Sequence, residues 1–248
     1  MDPLEILLVV VTVGIGFFVK GVTGMGGPTL AIPVMAGFVG IEQAVIVISV
    51  PAVVANTWLL WAHRGSARET TSYLPSMLVA GFFGTLAGAY LLRELDDIVL
   101  SWVFAGVVIA YIVRYLTNQE FRIGDRLARW LSPPVGLVGG VLQGATGVSS
   151  PVLATYLHGL RLAPSVFVLS ITVPFWLFGV VQFAGYWSLD MLTWDRLGQG
   201  AIATIPALMV VPIGMRVSKR IQKKTFEYAV LGVLFVSAIR LVWSATAG

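Results

Sequence analysis

The sequence predicts an all-α polytopic membrane protein made of two inverted repeats, each a broken or re-entrant helical hairpin followed by three transmembrane helices. Three observations predict it. Of 248 residues, 57% are hydrophobic and 11% charged, and the mean hydropathy is +0.89; a soluble domain carries about 25% charged residues. Several charge-free runs reach the roughly 20 residues that a helix needs to cross a hydrocarbon layer of about 30 Å. The third observation is a repeat: Gly21-Val22-Thr23-Gly24-Met25-Gly26-Gly27-Pro28 recurs as Gly144-Ala145-Thr146-Gly147-Val148-Ser149-Ser150-Pro151, matching position for position as G-x-T-G-x-small-small-P at an offset of 123.

The same offset pairs Gly16 with Gly139, Ile48 with Ile171 and Pro51 with Pro174. The chain therefore divides into a first half-repeat at 1–116, a polar cytoplasmic linker at 117–133 and a second half-repeat at 134–248. In each half a short apolar segment (4–19, 134–142) runs into the glycine-rich break. A second short segment opens at proline (28–38, 151–160). Three full spans complete the half: 41–62, 73–92 and 98–116 in the first, 163–185, 197–216 and 226–243 in the second. Polar residues never alternate at every second position as a transmembrane barrel requires. Asp2 and Glu5 stand where a signal peptide carries basic residues, so the first segment reads as mature structure.

Loop charge decides how the halves are threaded. If each broken pair returns to its own side, Arg64, Arg68, Arg114, Arg122, Arg126, Arg129, Arg161, Arg216, Lys219, Arg220, Lys223 and Lys224 share one side, against Arg93, Arg196 and Arg240 on the other. If each pair crosses once, the charges divide almost evenly. Cytoplasmic loops concentrate Lys and Arg, so the hairpin threading is expected, with inverted halves and both termini periplasmic. Shallow re-entrance and two short full crossings both satisfy the charges; the short second segments favour re-entrance.

Irregular backbone at membrane depth must be buried or line a wet cavity. A pair of breaks in corresponding places of two halves is the strongest sequence pointer to a transporter's binding site. Proline suits the first turn of a helix, and the residues before Pro28 and Pro151 leave backbone N–H groups free at a positive dipole end, an anion site. The expected ligand-binding set is Lys20, Gly21, Thr23, Gly24, Gly26, Gly27 and Pro28 with Gln143, Gly144, Thr146, Gly147, Ser149, Ser150 and Pro151. The bland alternative for each glycine is helix packing. Lys20 aligns with Gln143; it either snorkels to an interface or attracts an anion or carries a proton from within the span.

All twelve acids lie in loops or near span ends, so no deep carboxylate relay suggests a cation carrier. Asn56 and Gln182 lie within spans, where they line a path or bond a neighbouring helix. His63 and His158 fall near cytoplasmic ends, with a modest gating or proton role open to them. Trp58, Trp61, Trp187, Trp194 and Trp243 fit interfacial belts. There is no cysteine, which excludes thiolate metal sites and thiol redox chemistry. The net charge of +4 is spread over orientation loops rather than forming a nucleic-acid patch. No cofactor or metal site is indicated, and no cluster of deep nucleophiles suggests an enzyme.

At the two Gly-Pro breaks, and over essentially the whole chain, the sequence resembles the sulfite exporter TauE/SafE family of bacterial and plant membrane proteins. The resemblance implies export of sulfite, sulfonates such as sulfoacetate, or related sulfur anions. It places Gly21, Gly24, Gly26, Gly27 and Pro28, with Gly144, Gly147 and Pro151, in the family's glycine-rich motif; Ser149 and Ser150 stand where many members carry glycine. The expectation is a secondary transporter of the bacterial inner membrane, exporting a small sulfur-containing anion by alternating access. Its partners are that anion and the lipid bilayer, with proton coupling optional and a homodimer compatible. An anion channel, or a carrier of another small organic anion, is the alternative.

Overall fold

The computed structural model describes residues 3–23, 27–62, 73–117 and 122–217, together with positions 235, 239 and 243. Among the described residues the chain is helical, with no strand: α1 (Pro3–Thr23), α2 (Gly27–Val39), α3 (Ile41–Ala62), α4 (Leu74–Glu94), α5 (Asp97–Thr117), α6 (Asp125–Thr146), α7 (Ser150–Gly159), α8 (Pro164–Ser188) and α9 (Trp194–Val217). Gly24, Gly26 and His63 lie outside the described residues, as does most of the span expected at 226–243.

Two boundaries differ from expectation. The first helix continues through Lys20 to Thr23, so the lysine sits in its last turn rather than in the break. In the second half, α6 begins at Asp125, inside the stretch read as a linker, and runs through Pro133 and Pro134. Asp125 in the first turn suits the positive helix end, and its apolar face carries the helix through the polar stretch. The second short helices start where the prolines predict, at Gly27 and Ser150.

Among the described residues four helices are long and apolar enough to cross a membrane: Ile41–Ala62, Leu74–Glu94, Val166–Ser188 and Trp194–Val217. Ile32, Met35, Ile46, Ile48 and Phe104 are buried in the core, while Phe83, Trp102, Leu137, Ile205 and Met209 stand exposed. Exposed apolar side chains so numerous would be patches of binding surface on a soluble monomer; here they suit lipid.

Backbone contacts fix which helix ends meet. The Ile123 N–H donates to the Gly159 carbonyl at 2.8 Å, and the Tyr156 hydroxyl to the Ala128 carbonyl at 2.8 Å, so α7 folds back to the start of α6. The start of α4 joins this end, where the Ser132 hydroxyl donates to the Tyr73 carbonyl. At another cluster of ends, Arg196 of α9 pairs with Glu42 of α3 at 2.8 Å, and Gln43 Nε2 donates to Gln199 Oε1 at 3.0 Å. There α2 closes on Gly40, at φ +83, whose N–H donates to the Ala36 carbonyl at 3.0 Å, a left-handed helix ending.

Close packing interleaves the halves. A Cβ added to Gly140 of α6 would lie 2.2 Å from the Gly81 carbonyl of α4, and one on Gly144 would lie 2.2 Å from that of Thr85. Gly21 of α1 stands in the same relation to the Val211 carbonyl of α9, at 2.4 Å. Thus α4 packs on α6 and α8, and α9 on α1 and α3.

Candidate functional site

The second break forms because Gly147 ends α6 in the left-handed conformation, at φ +70, with its N–H donating to the Gln143 carbonyl. A Cβ there would meet Ile32 Cδ1 at 2.4 Å, but that atom is the tip of a flexible side chain, so it is the left-handed backbone that favours glycine. Four residues earlier in α6, the same chain segment begins a run of neutral hydrogen bonds. The Ser149 hydroxyl donates to Gln143 Oε1 at 2.7 Å, and Gln143 Nε2 to Gln182 Oε1 at 3.0 Å. Gln182 Nε2 donates to the Gln143 carbonyl at 2.6 Å and to the Tyr186 hydroxyl at 2.7 Å, which donates to the Gly144 carbonyl at 2.6 Å. Every member is satisfied, which makes such a network rigid.

The starts of α2 and α7 face each other. Thr29 Oγ1 and Ser150 Oγ lie 2.8 Å apart, both buried. Beside them is a cavity of about 20 Å³ lined by Lys20, Pro28, Thr29, Ala52, Asn56, Gln143, Gly147, Val148, Ser149, Ser150 and Phe175. A space of that size holds about one water-sized group.

Lys20 is 2% exposed, so its head does not snorkel out of the protein. Its Nζ lies 5.3 Å from the centroid of the Phe175 ring, within cation–π range, and Gly27 lies against its stem, where an added Cβ would be 3.1 Å from Lys20 Cδ. No carboxylate pairs with it among the described residues.

Of the expected site residues, Lys20, Pro28, Gln143, Gly147, Ser149 and Ser150 share this cavity. Gly21 and Gly144 instead occupy helix contacts, on α9 and α4. Thr23 donates its hydroxyl proton to the Val19 carbonyl at 2.9 Å, and Thr146 to that of Leu142 at 2.7 Å; these are the same bond at repeat-equivalent positions. Pro151 faces a separate apolar cavity of about 440 Å³ with Val152 and Tyr156. Asn56 lines the site, the first of its two readings, while Thr29 and Phe175 line it without having been expected there. Phe175 and its repeat equivalent Ala52 both line the wall, a pairing recognisable only once the cavity is known. Gln182 bonds the neighbouring α6; Asn56 Oδ1 has no hydrogen-bond partner among the described residues. His158 stacks on Phe167 at 4.5 Å, away from the cavity.

In comparison with known proteins, the family model described as "Sulfite exporter TauE/SafE" matches residues 8–241. No curated protein and no solved structure matches the chain.

Proposed function

The chain belongs to the sulfite exporter TauE/SafE family, and on that premise we propose that it exports sulfite or a small organosulfonate such as sulfoacetate across the bacterial inner membrane. It is a multi-pass membrane transporter of sulfur-containing anions and not an enzyme. The observation that carries the proposal is the meeting of the two breaks, Thr29 against Ser150 at 2.8 Å, with the buried ammonium of Lys20 on the same wall.

In this reading the anion sits between the starts of α2 and α7. Each contributes free N–H groups and roughly +0.5 of a charge from its dipole; Lys20 adds a full charge, and the hydroxyls of Ser149 and Ser150 are close by. Pro28, Gly27 and Gly147 let backbone approach the ligand, Gln143 braces Ser149, and Thr23, Thr146, Gly21, Gly144 and Pro151 hold the helices around the break. Gly24 and Gly26 belong to the first break by the repeat.

A sulfite ion is larger than one water, so binding must part the two helix starts and break the Thr29–Ser150 contact. Parting toward one side and then the other is alternating access. Contacts between the halves support the inverted arrangement of 1–116 and 134–248 about the linker 117–133. The α6–α7 pair returns to its own side, α3 and α9 start together, and repeat equivalents such as Ala52 and Phe175 meet at one cavity. With 10 residues, α7 is about 15 Å long, half the hydrocarbon thickness, which favours re-entrance. The threading puts both termini in the periplasm. An inside-negative potential favours anion export by about 2.3 kcal/mol per charge per 100 mV, so proton coupling is optional.

A thermal-shift screen of the purified protein against sulfite, sulfate, thiosulfate, taurine, sulfoacetate and carboxylate controls tests the proposal. A ligand that binds only the folded state raises its apparent stability. A shift with sulfite or a sulfonate and none with carboxylates is expected; no shift with any sulfur anion would sink the reading. Saturable flux with counter-transport in proteoliposomes separates the carrier from a channel.

A further inference from the structure

Around the cavity nearly every polar side chain already has its partner. Thr29 and Ser150 hold each other, Ser149 donates to Gln143, and Gln143 donates to Gln182. Two polar groups remain, Lys20 over the Phe175 ring and Asn56 on α3. Asn56 is 4% exposed, lines the cavity, and its Oδ1 is buried with no hydrogen-bond partner among the described residues.

The two groups ask for different things. The ammonium and the helix starts donate to negative oxygens. A carbonyl oxygen such as Asn56 Oδ1 only accepts and repels an anionic oxygen set against it. Buried acceptors in native proteins are nearly always paired, with protein or with ordered water; the cavity has room for about one water, and a ligand that displaces it has to supply the donor itself. The repeat sharpens this: the equivalents of Lys20 and Asn56 are Gln143 and Gly179, so the second half offers no ammonium, and its carboxamide, Gln143, is already engaged by Ser149 and Gln182. A ligand held by both is held asymmetrically, its negative end toward Lys20 and its donor toward α3.

We infer that Asn56 is a specificity-determining residue, and that the anion this site takes also carries an O–H or N–H that donates to Asn56 Oδ1. The inference rests on the anion-site reading above and narrows its substrate class. Two sources share that chemistry: a hydrogen oxyanion such as hydrogensulfite, and a hydroxy- or amino-substituted alkanesulfonate. A plain alkanesulfonate or a fully deprotonated dianion leaves the acceptor unpaired.

The full-length protein in detergent is titrated with 2-hydroxyethanesulfonate and propane-1-sulfonate, which match in charge and size and exchange a hydroxyl for a methyl. A site built to hydrogen-bond a ligand O–H discriminates strongly against the analogue without it. The expected preference is on the order of tenfold or more, and Asn56→Leu brings the ratio to near one while propane-1-sulfonate still binds. In a second arm, sulfite is titrated from about pH 6 to about pH 8, where hydrogensulfite loses its proton; affinity falls on the hydrogen oxyanion account, with propane-1-sulfonate as the ligand that does not titrate. A preference confined to the sulfonate pair identifies the substituted sulfonate, and a pH effect confined to sulfite identifies the hydrogen oxyanion. Equal sulfonate affinities with a flat sulfite profile overturn the inference, and so does a preference that survives in Asn56→Leu, or in Asn56→Ala should the leucine variant not fold. Those results leave the anion site standing. If no sulfur anion binds at all, the transport reading fails, and this one with it.

Discussion

Thr29 and Ser150 share a hydrogen bond at 2.8 Å across 121 positions of sequence, and through it the helices that follow the two breaks touch. Both hydroxyls are buried, so losing either leaves its partner short of a bond. Ser150→Ala and Thr29→Val are each expected to cost about 1 kcal/mol, the net value of such a bond. Their double-mutant cycle should return a coupling of about 0.5–1 kcal/mol, read from chemical denaturation in detergent. A coupling of zero would show that the contact does not hold the breaks together.

Gly147 is the hinge of the second break. Gly147→Ala places a side chain in the left-handed region, which costs about 1–2 kcal/mol for an L-residue, and drives its methyl to 2.4 Å from Ile32 Cδ1. The variant is expected to lose about 1–2 kcal/mol, set by the backbone strain, because Ile32 Cδ1 is the end of a flexible side chain and can move aside. Unchanged melting would mean that the break does not depend on this conformation.

Gly140→Ala tests the α4–α6 contact, where the added methyl would come 2.2 Å from a backbone carbonyl that cannot move aside without separating the helices. Gly106→Ala is its control, because a Cβ there meets nothing within 4 Å. Alanine is the better helix former by about 1 kcal/mol. The first variant should melt well below the wild type and the second at or above it; the same sign for both would contradict the packing account.

Lys20→Gln should separate binding from stability. A buried charge with no carboxylate partner, which Lys20 is among the described residues, costs several kcal/mol of desolvation, so its removal is expected to leave thermal stability equal or higher. Affinity for a sulfur anion should instead fall on the order of tenfold, about 1.4 kcal/mol. Unaltered anion binding, with an organic cation competing well, would refute the lysine's role and the anionic substrate together.

Much of this was legible in the chain itself. The prolines marked where α2 and α7 begin, because proline fixes φ and lacks the N–H that a first turn leaves unpaired. Ile41–Ala62 emerged at its expected bounds, since a predominantly apolar run of that length satisfies its backbone in lipid only as a helix. The start of α6 was missed because polar residues at a membrane surface are compatible with helix as well as with loop. Glycines were the least readable: Gly147 serves a left-handed turn and Gly144 a helix contact, yet a residue without a side chain carries no sign of which.

The sequence by itself determined the helical membrane class, the repeat, and the places where regular structure stops. These follow from hydropathy, backbone hydrogen bonding and the geometry of proline and glycine, all local properties. Only the tertiary structure decided that Thr29 meets Ser150, that Lys20 lies over Phe175, and that Asn56 lines the same cavity, its carbonyl oxygen without a hydrogen-bond partner among the described residues. Such encounters depend on the rotation and crossing of helices far apart in the chain, and periodicity along any one helix does not encode them.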